Sequence, residues 1–147
     1  MKKETDEAYG DRTVYLISRI REKANRLLIR ELRSHNLQGI VPSHGDILVS
    51  LFLQPGLTMK GLAKKIDRDK STVTALVDKL VRLGYVEKKV DPGDSRITLV
   101  SLTTKGLSLK PVFLEISRRL QERVYEHLTE KEKATLIDLL VKINQGW

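Results

Sequence analysis

Thr58–Gly106 reads TMKGLAKKIDRDKSTVTALVDKLVRLGYVEKKVDPGDSRITLVSLTTKG, and its pattern decides the fold. Met59, Leu62, Ala63 and Ile66 recur at i, i+3, i+4 and i+7, one face of a short helix. Thr58 precedes it as an N-cap whose hydroxyl accepts an orphan backbone N–H. Asp67-Arg68 breaks the apolar pattern, and Asp69 is the next N-cap. A second helix follows with Val73, Leu76, Val77, Leu80 and Leu83 inward, closed by Gly84, where a positive φ costs little. Two short amphipathic helices joined by a tight turn make a helix-turn-helix.

The outer face of the second helix is centred on Ser71, Ala75, Asp78 and Arg82, flanked by Thr72, Thr74 and Lys79, with Lys70 at the start. Small hydroxyl and methyl side chains at a helix N-terminus permit close approach to a DNA major groove. A surface of short residues left by chance is the bland alternative. Asp78 is unfavourable near phosphates and is expected to pair with Arg82 at i+4. Tyr85–Val90 and Arg96–Leu102 then read as two strands around an Asp91-Pro92-Gly93-Asp94 turn. A hairpin after a helix-turn-helix is a wing, whose tip between Lys89 and Arg96 can lay a basic side chain in a minor groove.

The run from Leu76 to Gly106 resembles the signature of the MarR family of winged-helix transcription regulators: Asp94-x-Arg96 followed by Leu102-Thr103-x-x-Gly106, with Gly84 and Glu87 in step. The flanking helices and the chain length agree, so the resemblance covers essentially the whole sequence. Two positions depart from it: Ser95 stands where many members carry a basic residue, and Ala75 where many carry Arg or another polar side chain. The resemblance implies a mainly α fold with a small β-hairpin: a winged helix-turn-helix lobe over about 43–106, and N- and C-terminal dimerisation helices over about 12–34 and 107–145, all in one domain spanning 1–147. It implies a homodimer on double-stranded DNA, with Arg96 supporting the wing near the minor groove. It also implies a small aromatic or phenolic effector, held in a cleft near Ile47, Phe52 and the first helix. Together the residues and the resemblance nominate Thr58, Lys60, Lys70, Ser71, Thr72, Thr74, Ala75, Lys79, Arg82, Lys88, Lys89, Asp94, Ser95 and Arg96 as the DNA-binding set.

Charge supports this. The chain of 147 residues carries a formal net charge of +8, and Thr58–Gly106 alone holds 11 Lys/Arg against 6 Asp/Glu. The positive excess is concentrated in the proposed reading unit, as an electrostatic footprint should be. There are no cysteines, which excludes disulfides, thiolate zinc sites and thiol switches. No nucleotide-binding, zinc-protease or nucleophile-elbow motif is present, so the chain reads as a non-enzyme without cofactor or metal. His35, His44 and His127 read as surface or cap residues. Met1-Lys2-Lys3 is followed by acidic residues instead of an apolar run, and Ile47–Met59 is too short to span a bilayer, so the expected location is cytoplasmic, with no membrane partner.

Outside the central stretch, residues 1 to about 11 lack periodicity and read as a frayed start to the first helix. Val14, Ile17, Ile20, Ala24, Leu27, Leu28 and Leu32 mark that helix, with Arg19, Arg26, Arg30 and Arg33 off the stripe. Pro42-Ser43-His44-Gly45-Asp46 reads as a helix start, with Ser43 as N-cap and Asp46 reciprocating. After Gly106 one long helix is expected from Leu107 to Leu128, its early turns distorted by Pro111. Thr129 and Glu132 form a capping box for a last helix. The terminal helices carry more apolar surface than a small winged helix can bury, and a twofold partner is the simplest remedy. The competing readings are a low-specificity architectural DNA-binding protein and a protein-interaction winged helix that never touches DNA.

Overall fold

The computed structural model describes residues 10–147; the expected frayed start over 1 to about 11 lies almost wholly outside them. Helix α1 (Thr13–Ser34) leads to α2 (Pro42–Leu53), a two-residue strand β1 (Leu57–Thr58), α3 (Met59–Ile66) and α4 (Lys70–Arg82). The hairpin β2 (Val86–Asp91) and β3 (Asp94–Leu102) follows, then a single turn α5 (Thr104–Leu107), α6 (Lys110–Tyr125) and α7 (Glu130–Gln145). The order is that of a winged helix-turn-helix carried between terminal helices.

Local chemistry explains most boundaries. Thr58 Oγ1 accepts from Gly61 N–H at 2.9 Å and caps α3. Asp69 Oδ1 accepts from Thr72 N–H at 2.7 Å and caps α4. Gly84, at φ 80°, ends α4: its N–H reaches Val81 C=O while Tyr85 N–H reaches Leu80 C=O, a Schellman closure. The same closure at the end of α1 places Asn36 at φ 60° and seats buried Leu37 beside buried Leu32. Thr129 and Glu132 bond reciprocally at the start of α7.

Three expectations are corrected. The start of α2 is not capped by Ser43 and Asp46. Pro42 occupies the first turn, where a missing N–H is harmless, and the buried His44 ring accepts from Val41 N–H at 3.0 Å. The segment after Gly106 is not one helix from Leu107. Thr103 caps the short α5, and α6 restarts at Lys110 with Pro111 in its first turn. Finally, the sheet has three strands in the order β1-β3-β2, all antiparallel. Leu57 pairs with Val100 and Thr58 with Leu99, so the helix-turn-helix is hydrogen-bonded to the wing.

Ile47, Leu48 and Leu51 of α2, Leu62 of α3, Val73, Val77 and Leu80 of α4 and Val100 of β3 are fully buried. They form the core of the lobe, joined by Phe113 and Ile116 of α6 and by Leu32 of α1. Burial of this kind stabilises by about 1.5–3 kcal/mol for each such side chain. The outer helices differ: Leu32 is the one buried residue of α1, and α7 has none.

Candidate nucleic-acid interface

The recognition helix α4 projects from the lobe with Val73, Val77 and Leu80 inward, leaving Lys70, Ser71, Ala75 and Arg82 exposed and Thr72, Thr74, Asp78 and Lys79 half-buried. Two hydroxyls are engaged within the chain. Ser71 Oγ donates to Asp69 Oδ1 at 2.9 Å, and Thr74 Oγ1 donates to Lys70 C=O at 2.8 Å. Each hydroxyl oxygen retains acceptor capacity toward a base amino group. The Thr72 N–H bond, with the hydroxyl bonds beside it, holds the Asp69 carboxyl below its ordinary range. Lys60 is exposed in the first turn of α3, next to the Thr58 cap.

The wing closes tightly. Asp91 pairs with Asp94 across Pro92-Gly93, and Asp91 Oδ1 accepts from Gly93 N–H at 2.7 Å. Val90 pairs with Thr98, so the register shifts between these two pairs and Ser95, Arg96 and Ile97 lie in the irregularity. Such an interruption re-aims side chains out of the ladder. Arg96 is held there by Asp94: Nε donates to Oδ1 and Nη2 to Oδ2, each at 3.1 Å, while Arg96 N–H also reaches Oδ1 at 3.0 Å. The side-chain bond from Arg96 holds the Asp94 carboxyl below its ordinary range, and the same fork raises the guanidinium. The Arg96 side chain remains 88% exposed, so the fork directs a cation into solvent at the wing.

Several nominated cations are already partnered. Lys88 Nζ lies 2.8 Å from Asp78 Oδ1, linking the wing strand to the recognition helix. This corrects the expected Asp78–Arg82 pair: the strand at α4's side offers a nearer cation than the next helical turn. Lys89 pairs with Glu87 at 2.9 Å. Lys79 Nζ donates to Gly39 C=O in the α1–α2 loop. Thr58, Lys60, the α4 residues, Lys88, Lys89, Asp94, Ser95 and Arg96 therefore all belong to the cap of α3, α3 itself, α4 and the wing, although Lys79 turns toward the loop.

The Leu102-Thr103-x-x-Gly106 motif acts at the base of the wing. Thr103 Oγ1 donates to Gly84 C=O and accepts from Gly106 N–H, tying the end of α4 to the start of α5. A Cβ on Gly106 would stand 2.0 Å from Tyr85 O, so only glycine allows this approach. The sequence pattern did not single out Lys105: its Nζ donates to Leu83 C=O at 2.8 Å and lies 4.7 Å from the centre of the Tyr85 ring.

Around the expected effector cleft, Ile47 is fully buried and Phe52 packs against Phe113 with ring centres 5.8 Å apart. Among the described residues no group of three or more His, Asp or Glu could hold a metal ion, and no helix is long and apolar enough to cross a membrane.

A family model described as the MarR family matches residues 40–98, the lobe that carries this geometry. The multiple antibiotic resistance protein MarR of Escherichia coli is 31% identical over 129 residues, covering 87% of this chain and 88% of that protein. The chain belongs to the MarR family. Among solved structures, a mutant MarR of Escherichia coli complexed with operator DNA is 31% identical, with a TM-score of 0.79 over 88% of this chain and 91% of that one. A probable transcriptional regulator from Pseudomonas aeruginosa, at 22% identity, shares the fold with a TM-score of 0.81 over 92% of this chain and 98% of its own. The MarR-family signature residues Asp94, Arg96, Thr103 and Gly106 thus have structural roles here: the first two form the fork, and the last two join wing to recognition helix.

Proposed function

We propose that this MarR-family transcriptional regulator is a cytoplasmic homodimer that binds a palindromic double-stranded operator, acts as a repressor, and is released by a small aromatic or phenolic effector. The observation that carries operator binding is the pairing of an exposed, short-residue N-terminus on α4 with a wing that presents Arg96 on a carboxylate fork. In this reading the first turns of α4 enter the major groove. Ser71, Thr72, Thr74 and Ala75 face base edges; Thr58, Lys60, Lys70 and Arg82 meet phosphates. Arg96, steered by Asp94 beside Ser95, enters the minor groove, and Lys88 and Lys89 lie along its flank. The MarR of Escherichia coli solved with operator DNA supports this reading by likeness.

The dimer is supported by apolar side chains left uncovered on the outer helices. Val14, Leu16, Ile17 and Ile20 of α1 and Leu139, Leu140, Val141 and Ile143 of α7 are all exposed. Exposed apolar surface on that scale marks an association site.

The second reading is a low-specificity architectural binder, favoured by Ala75 and Ser95, which offer no long side chain to a base. Selection of bound sequences from random duplex DNA separates the two. A recovered palindrome supports the regulator; tight binding without sequence enrichment supports the architectural protein; no binding removes both.

A further inference from the structure

Two neighbouring residues hold the recognition helix in different directions. Asp78 faces the wing through Lys88. Lys79 faces the other way, and its ammonium donates to the carbonyl of Gly39. Gly39 sits at φ +83°, in the left-handed region, and a Cβ built there would lie 3.4 Å from Lys79 Nζ. The loop is anchored on either side of that glycine by buried Leu37 and Ile40, and it runs directly from α1 into the His44-capped start of α2. A half-buried lysine whose ammonium is turned to a loop carbonyl is poorly placed to neutralise a phosphate.

We propose that Lys79 is a positioning residue that pins α4 to the α1–α2 loop, so that the recognition helix keeps its pitch relative to α1 and α2. The inference rests on the operator-binding reading for its consequence, not for the hydrogen bond itself. His44 reports on the same place. Burial first, and then the Lys79 charge, lower the pKa of its ring, and its Nδ1 must be unprotonated to accept from Val41 N–H.

The test compares Lys79→Met, which keeps the aliphatic stem and loses the donor, with Lys79→Arg, which keeps charge and donors. In the free protein, NMR titration of His44 should show its pKa rising in Lys79→Met and staying near the parent in Lys79→Arg. Exchange of the Ile40 amide should quicken only in Lys79→Met. On the selected duplex, Lys79→Met should lose about tenfold in affinity, the scale of a lost hydrogen bond from a charged donor. Scrambled duplex should change little, the salt slope should hold, and Lys79→Arg should restore binding. A uniform loss on all duplexes, with the slope falling by about 0.9 for each phosphate no longer neutralised, would make Lys79 a phosphate-binding residue and overturn the proposal. An unchanged His44 pKa with unchanged Ile40 exchange would also overturn it. If the parent selects no duplex, the operator-binding reading fails, while the His44 and Ile40 measurements still decide the tether.

Discussion

Asp94 and Arg96 form a two-bonded fork, both side-chain bonds at 3.1 Å, in a wing segment where the strand register breaks. Among the described residues the carboxylate accepts from Arg96 alone, through its side chain and its backbone N–H. Arg96→Ala should cost on the order of 1–3 kcal/mol on the operator and less on random DNA. Asp94→Ala should lose less, in the same direction, although it removes a negative charge near phosphates. Binding to operator and scrambled duplexes, with melting curves alongside, checks both. Tighter operator binding by Asp94→Ala would show that charge attraction, not direction, governs the wing.

The Asp78–Lys88 pair makes an opposite prediction. Asp78→Asn frees the Lys88 ammonium, so affinity for non-operator DNA should rise several-fold, and the log–log salt slope should steepen by about 0.9 for each additional phosphate neutralised. The operator-to-random ratio should fall, because the wing strand loses its ionic tie to α4. Fluorescence anisotropy over a salt series reads both quantities.

Gly106→Ala tests the joint beneath the wing. The added methyl meets Tyr85 O at 2.0 Å, so the α5 turn or the Gly84–Tyr85 turn must move. A loss of roughly 1–3 kcal/mol in unfolding free energy is expected, the usual cost of forcing a methyl into a filled space. Denaturant titration of parent and variant measures it.

Acid should expose the ion network between α1 and α6. Glu115 accepts from Arg118 and Arg119, and Arg119 also reaches Glu31 on α1 at 3.1 Å. The Arg118 hydrogen bond first, then the Arg119 one, lower the Glu115 pKa to about 2. A depressed folded-state value means that this contribution is present above the ordinary 4.5 and is lost as pH falls from there through about 2. Glu115→Gln should flatten the fall in melting temperature over that window. The group is solvent-exposed, so the effect should be modest and should shrink in high salt.

Leu139 tests the dimer. It lies exposed on α7, a helix with no buried residue. Parent protein at micromolar concentration should sediment at twice the 16.8 kDa chain mass. Leu139→Glu should shift the equilibrium toward monomer and weaken palindrome binding far more than binding to a half-site. A parent that sediments as monomer would end the twofold reading.

The caps at Thr58, Asp69 and Thr129, the Gly84 closure, the helix-turn-helix and the wing were all legible in the sequence. Each rests on bonds within a few residues or on a hydrophobic period, so the local chain fixes it. The MarR-family signature was legible for the same reason, as fixed types at fixed spacing. What the sequence could not assign were partners drawn from far along the chain. Asp78 met Lys88 across ten positions instead of Arg82 across four, because folding laid the wing strand beside α4. Leu57 and Thr58 became a third strand only when Leu99 and Val100 arrived to pair with them, since two residues carry no strand signal of their own. His44, not Ser43, capped α2, because Pro42 shifted the helix start and the ring was driven inside with its neighbours. Lys79 looked like one more cation on a basic helix. Only the tertiary structure, by bringing the Gly39 carbonyl within reach across 40 positions, gave its charge a place to go.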